Sequence, residues 1–209
     1  ILKAINAFFI LRAMIVWLYL VTTLCIIMYD HVIDKNIFPS FVSSCIPQID
    51  MMAQLAEAYD IKNCYDSAKL SNEGGYHSPT FVDSKFLKLK DTVVEFSNDL
   101  LDKKGLGLEV HHMEYWCNIN KSYNYNVMHS HGRADLIGIY YIQLPPGSGN
   151  LVVMRNDGSQ YCSLYENRAD MLEYIIEPEV GRLYVLPGHL WHYVTGSDSV
   201  RDRVSVSFN

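Results

Sequence analysis

Two histidines one residue apart, His129 and His131, followed far downstream by His192, are the residues of this chain best suited to carry chemistry. Alternate residues of a β-strand share a face, so His129 and His131 can grip one ion together while Ser130 points away. A third imidazole arriving on a distant strand closes the triangle. Imidazole nitrogen suits Fe, Zn, Cu or Ni, and three protein ligands on one side of an ion leave positions open for substrate or oxygen. A closed site of four ligands would only hold the fold.

The segment from Arg201 to Asn209 alternates strictly. Arg203, Ser205 and Ser207 fall on one face and Val204, Val206 and Phe208 on the other. A guanidinium that faces the inside of a barrel needs a partner, because an unpaired internal charge costs several kcal/mol. No acidic residue alternates with Arg203, so the carboxylate of a small molecule would complete it, aided by the Ser205 hydroxyl. The competing reading is a surface arginine on an edge strand.

Several strings occur in one order: Ser71-Asn-Glu-Gly-Gly-Tyr-His-Ser78, Trp116-Cys-Asn-Ile-Asn120, His129-Ser-His131, Gly138-Ile-Tyr-Tyr141, Gly147-Ser-Gly149 and Arg203-Val-Ser-Val-Ser-Phe-Asn209. Together they resemble the 2-oxoglutarate- and iron(II)-dependent oxygenases of marine bacteria and their phages. That family lies within the double-stranded β-helix oxygenases that include the prolyl hydroxylases. The resemblance runs from about Asn36 to Asn209.

The resemblance implies a double-stranded β-helix, a cupin-like jelly-roll barrel, and an iron site in which His129 and His192 are the two histidine ligands. His131 falls where the wider superfamily usually carries Asp or Glu. A third imidazole would leave the metal more electron-poor and the site more positive than a carboxylate would. Asp135 could substitute if its loop folded back, but His131 shares strand parity with His129 and is the expected ligand. Arg203 matches the clamp for the distal carboxylate of 2-oxoglutarate, with Ser205 beside it and Arg201 as the competing candidate. Tyr141 matches a tyrosine that touches the same carboxylate, and Asn118 or Asn120 a hydrogen-bonding partner of the cosubstrate. The implied cofactors are Fe(II), 2-oxoglutarate and O2, and the implied reaction is hydroxylation of an unidentified substrate coupled to decarboxylation of 2-oxoglutarate to succinate.

Other classes stay open on residues alone. A thiol-type dioxygenase with a three-histidine iron needs no 2-oxoglutarate, and Arg203 would then hold the substrate's own carboxylate. A cupin-like isomerase, a sugar-binding module or a non-catalytic binding protein is also compatible. The formal net charge of −6 argues against general nucleic-acid binding, which wants a basic surface. The expected partners are therefore a small-molecule cosubstrate and a substrate not identified.

The elements that must position these groups follow from periodicity. Residues 49–61 and 83–102 carry helical spacing, the first through Ile49, Met52, Leu55, Ala56 and Tyr59, the second through Phe86, Leu89, Val93, Leu100 and Leu101. Both should cover one outer face of the barrel. Between them, Gly74, Gly75, Tyr76 and His77 read as a loop that could reach the pocket, or as an ordinary turn with an aromatic anchor. From Leu108 onward short strands are expected at 108–119, 136–144, 151–154, 161–164, 174–177, 182–186, 191–195 and 203–208, separated by Pro, Gly and Asn turns. A mainly β domain with flanking helices results. Trp191 and Tyr193 flank His192 in opposite parity, and His189, in a Pro-Gly turn, is a rim residue.

With 209 residues and 49% hydrophobic content, the chain suits one domain with a sizeable core, taken as 31–209 with its helical lead at 49–103. Five cysteines without a C-x-x-C pair do not make a disulfide framework, and a reducing, cytoplasmic setting fits them. Cys117 could be a metal ligand, but beside Trp116 it reads as a packed wall position. Residues 1–30 form a separate hydrophobic lead. Its stretch 13–29 has no charged residue and reaches the minimum of about 17 residues for a membrane span. It is either a membrane anchor, an apolar helix packed on the domain, or sequence upstream of a start at Met28; the last is the expectation carried forward, and any membrane contact would come through 13–29.

Overall fold

The computed structural model describes residues 40–155 and 172–209. The hydrophobic lead, the strand expected at 161–164, the turn at Asn156-Asp157-Gly158, Cys25 and Cys162 lie outside the described residues. Eleven strands and two helices are described: β1 (Ser43–Cys45), α1 (Met51–Cys64), β2 (Asn72–Glu73), β3 (Tyr76–His77), α2 (Leu87–Lys103), β4 (Tyr115–Asn120), β5 (Tyr125–His129), β6 (Leu136–Gln143), β7 (Leu151–Met154), β8 (Glu173–Ile176), β9 (Leu183–Pro187), β10 (His192–Val194) and β11 (Arg203–Phe208). The strands form two antiparallel sheets, one in the order β1-β9-β6-β11-β4-β3 and the other β2-β5-β10-β7-β8. Two facing antiparallel sheets with flanking helices give the mainly β jelly roll expected from the strand pattern, and fit the double-stranded β-helix that the resemblance implies.

The helix α1 starts because the Asp50 carboxylate accepts the backbone N–H groups of Met52 (3.0 Å) and Ala53 (3.1 Å), two of the four donors that a helix start leaves open. Its buried stripe is Gln54, Ala58 and Ile61, with Leu55 and Tyr59 on the flank. The expected face is thus corrected by a fraction of a turn: Met52 and Ala56 are exposed. The helix starts at Met51 behind its cap, which turns Ile49 out of the helical register. The second helix begins at Leu87 rather than Asp83, after Phe86, whose backbone is left-handed (φ 47°) and whose ring is buried. Burial of that ring holds a conformation that a bulky residue rarely adopts.

Both helices cover the outer face of the six-stranded sheet. Ala58, Ile61, Phe86, Leu89, Val93 and Leu100 pack there on Tyr115, Cys117, Ile119, Tyr140, Val185, Val204, Val206 and Phe208. A second cluster, including Ile137, Tyr141, Leu151, Val153, Leu186 and Val194, fills the space between the sheets. Two-sided burial explains why alternation in β11 is of polarity rather than of exposure: Val204, Ser205 and Val206 are all within 1% of complete burial.

Three further expectations are corrected. Strand β4 begins at Tyr115, not Leu108, because its partner β11 ends at Phe208 and leaves 108–113 without a ladder to join. Residues 76–77 are a strand on the edge of the larger sheet, while 72–73 join the smaller one. The chain therefore crosses between sheets at Gly74-Gly75, where Gly74 takes φ +74°. Strand β5, which periodicity did not separate out, carries His129. Among the described residues no helix is long and apolar enough to cross a membrane.

Candidate active site

The site is set by one register. In the pairing of β5 with β10, His129 lies directly opposite His192, and between His192 and Val194 the register shifts by a residue. The shift puts an extra residue on β5, so Asn126 and His129, three apart, both face the cavity while Val127 and Met128 are turned outward and exposed. The ring centroids of His129 and His192 are 4.4 Å apart.

His131 completes the cluster from the loop after β5, not from the strand itself. Its backbone N–H donates to the Gly188 carbonyl (2.9 Å), and its own carbonyl accepts from Ala134 (2.8 Å). This backbone contact turns the chain off the ladder and still points the imidazole inward. Gly188 is required for it: a Cβ there would collide with the Ala134 carbonyl. The ring of His131 lies 5.0 Å from that of His129 and 5.3 Å from that of His192, the latter nearly parallel at 6°.

One ligand nitrogen from each of the three histidines lies within 4.8 Å of the others. His129 donates through Nδ1 to the Val127 carbonyl (2.7 Å), and His192 through Nδ1 to that of Leu190 (2.9 Å). A nitrogen that donates carries the proton, so in both rings Nε2 keeps the lone pair. Burial depresses all three, and together with the neighbouring imidazoles it pushes His131 and His192 down to about 4. At neutral pH the cluster is therefore uncharged and offers lone pairs, the state a divalent ion needs.

The opposite wall comes from β11, β4 and β6 in register. Arg203 pairs with Asn120, Ser205 with Asn118 and with Tyr141, and Ser207 with Trp116. Arg203 is 2% exposed, and its Nε and Nη2 are buried with no hydrogen-bond partner. Its guanidinium lies 5.0 Å above the ring of Tyr141. The Tyr141 hydroxyl and the side-chain oxygens of Asn118 and Asn120 are also buried without partners. Burial pushes the Tyr141 phenol up from its ordinary value, opposed in part by the guanidinium. Among the described residues no carboxylate lines the cavity, and the buried Arg203 guanidinium is the one fixed charge on this wall.

The cavity runs between these walls, lined by the three histidines, Arg203, Ser205, Ser207, Asn118, Asn126 and Ser71, with apolar sides from Leu151, Leu186, Val194 and Ile137. His129, His131, His192, Arg203, Ser205 and Asn118 are thus brought together, and Tyr141 lies beneath Arg203. Asp135 and Arg201 are exposed and outside the cavity, as is His189. Cys117 points the other way into the helix-covered core, 4.0 Å from the Ala58 carbonyl, a packed wall position. Ser71 and Asn126 were missed in the sequence. The bulge gives Asn126 the wrong parity to be found by alternation, and Ser71 precedes a strand of only two residues.

These residues fit the group that the resemblance implies. Three neutral imidazoles could give a divalent metal ligands without charge, and the Arg203 Nε and Nη2, which have no partner among the described residues, could donate to the carboxylate of a dianion.

Residues 114–209 match the family described as "Putative 2OG-Fe(II) oxygenase". No curated protein matches the sequence. Among solved structures, a Pseudomonas putida prolyl-4-hydroxylase aligns with TM-score 0.57 at 18% identity, covering 80% of this chain and 90% of that one. A Trichoplax adhaerens prolyl hydroxylase in complex with a hypoxia inducible factor peptide fragment aligns with TM-score 0.56 at 11% identity, over 81% of each chain. The viral collagen prolyl hydroxylase of Paramecium Bursaria Chlorella virus-1, in its 2-oxoglutarate complex, gives 0.53 at 8% identity, over 80% and 93%. At these identities the likeness is one of fold.

Proposed function

We propose that this chain is a 2-oxoglutarate- and Fe(II)-dependent oxygenase, that His129, His131 and His192 hold the iron and that it hydroxylates a substrate C–H bond. The observation that carries the reading is a three-imidazole cluster across one cavity from a buried guanidinium whose Nε and Nη2 have no partner among the described residues. When bound, Fe(II) with 2-oxoglutarate supplies the chemistry that activates O2, releasing CO2 and succinate and leaving one oxygen atom on the substrate.

The protein's part is to bind, orient and exclude water. The carbonyls of Val127 and Leu190 fix the tautomers of His129 and His192, so that their Nε2 lone pairs would be free to hold the metal. Arg203 would receive the distal carboxylate of 2-oxoglutarate through its free Nε and Nη2, a charge-assisted pair in a low-dielectric setting. Ser205 and the Tyr141 hydroxyl would add donors. The amide nitrogen of Asn118 is already committed to Ser207 (3.0 Å), which leaves its oxygen as an acceptor for a hydroxyl or water. Leu151, Leu186, Val194 and Ile137 keep the space between the walls apolar.

Charge balance favours this ligand. Three imidazoles contribute none against the two charges that Fe(II) would bring, and Arg203 adds a third positive charge, so a dianionic cosubstrate would offset most of the excess. The family match does not favour a thiol-type dioxygenase or a non-catalytic cupin. Oxygen uptake that requires added 2-oxoglutarate, with succinate formed, tests the proposal; uptake with a thiol alone would refute it.

A further inference from the structure

Two of the three clustered histidines are oriented by hydrogen bonds, and the third is not. His129 and His192 each donate through Nδ1 to the carbonyl two residues before them. Among the described residues the His131 ring makes no hydrogen bond; only its backbone is pinned, to Gly188 and Ala134. Fixing the backbone leaves the two side-chain torsions of His131 to be set by something else.

What fills that role is an aromatic stack. On one side the His131 ring lies against His192 at 5.3 Å and 6°. On the other it faces the indole of Trp116 at 6.0 Å and 22°. Trp116 is itself backed by His77, at 5.4 Å and 14°. His77 is buried and locked through Nδ1 to the Ser78 carbonyl (2.7 Å), and its strand pairs with β4 at Asn118. The four rings form a pile that starts on the edge of the larger sheet and ends in the smaller one.

We infer that Trp116 is the positioning residue for His131, clamping the third imidazole by stacking where the other two are held by hydrogen bonds. The inference rests on the iron-binding reading above. It also gives a use to the Gly-Gly-Tyr-His segment: strand β3 supplies the ring that braces the indole from behind. Offset-stacked rings at these separations are in the attractive range, and one such pair is worth about 3- to 10-fold in an equilibrium constant.

The test uses Co(II) alone as the probe, with affinity and the ligand-field absorption spectrum as readouts and a thermal melt to verify folding. Trp116→Leu should bind Co(II) about 3- to 10-fold more weakly than wild type, with a spectrum displaced toward that of His131→Ala. Trp116→Phe, which keeps a flat ring, should recover most of the affinity and the wild-type spectrum. A folded Trp116→Leu protein with wild-type affinity and spectrum overturns the inference. If the leucine variant does not fold, NMR of the wild-type metal-free protein decides: the His131 ring protons must be shifted upfield by the indole, and unshifted resonances overturn the stack. Wild-type protein that takes up no Co(II) would instead remove the three-histidine site, a failure separate from that of Trp116.

Discussion

His129 and His192 are directly opposed on neighbouring antiparallel strands, and their rings, 4.4 Å apart, converge on the cavity that Arg203 faces from the other sheet. The jelly roll brings together residues more than sixty positions apart in sequence because β5 and β10 are neighbours in the smaller sheet. The histidine cluster therefore depends on strand pairing, and the buried Arg203 on the facing sheet.

Replacing Arg203 separates the clamp from the metal. Arg203→Ala should weaken 2-oxoglutarate binding by about 2–4 kcal/mol, the scale for losing one partner of a buried charge-assisted pair. Metal affinity in the absence of 2-oxoglutarate should stay close to wild type. Arg201, exposed and outside the cavity, serves as the control, and Arg201→Ala should bind normally. Calorimetric titration of both variants measures this, and equal losses in the two would move the clamp away from Arg203.

Tyr141 gives a prediction in which stability and binding move apart. Among the described residues its buried hydroxyl has no hydrogen-bond partner at full geometry, with only the Arg203 guanidinium beside it, and a buried hydroxyl costs about 1–3 kcal/mol where it stays unsatisfied. Tyr141→Phe should therefore fold as stably as wild type or better in the absence of ligand, yet bind 2-oxoglutarate about 5- to 10-fold more weakly, the worth of one hydrogen bond. Denaturant melts beside a binding titration check it. A large loss of stability would mean that the hydroxyl serves the fold.

Cys117 yields a pH signature of the helix-covered core. Burial pushes its thiol from an ordinary 9.0 up to about 11. Below pH 9 the thiol is protonated in both folded and unfolded chains and contributes no pH dependence. Between pH 9 and about 11 the unfolded chain releases the proton and the folded chain keeps it, so stability falls as pH rises through that window. Cys117→Ser should flatten this part of the profile. Exposed Cys64 should react with a thiol reagent in the native protein, while Cys117 waits for unfolding. Rapid labelling of Cys117 in the native protein would contradict its position in the core.

Much of the site was legible because β-strand alternation survives in β11: Arg203, Ser205 and Ser207 share a wall as their parity required. His192 was legible for the same reason, buried between the exposed Trp191 and the half-buried Tyr193. His131 lies in the cluster, but, because β5 ends at His129, the strand parity from which the sequence placed it there does not hold. It reaches the cavity through a loop hung on Gly188, not through strand parity. Asn126 was invisible because a bulge inverts its face, and such a bulge arises from the pairing of two strands that no local pattern relates. Trp116 took no role of its own in the sequence, because its stacking against His77 depends on a two-residue strand too short to leave a period. The helices were clear in existence and blurred by a few residues in register, since the Asp50 cap, not the apolar spacing, decides where the first one starts.

The central claim is that one cavity holds iron on three imidazoles and 2-oxoglutarate on Arg203. Anaerobic titration of the metal-free protein with Fe(II) and 2-oxoglutarate, monitored for the weak visible charge-transfer absorption of the chelate, tests it most directly. The account predicts a band that saturates at one iron per chain and is lost in His192→Ala. Absence of the band in folded wild-type protein at saturating iron and 2-oxoglutarate, or its survival unchanged in His192→Ala, would contradict it.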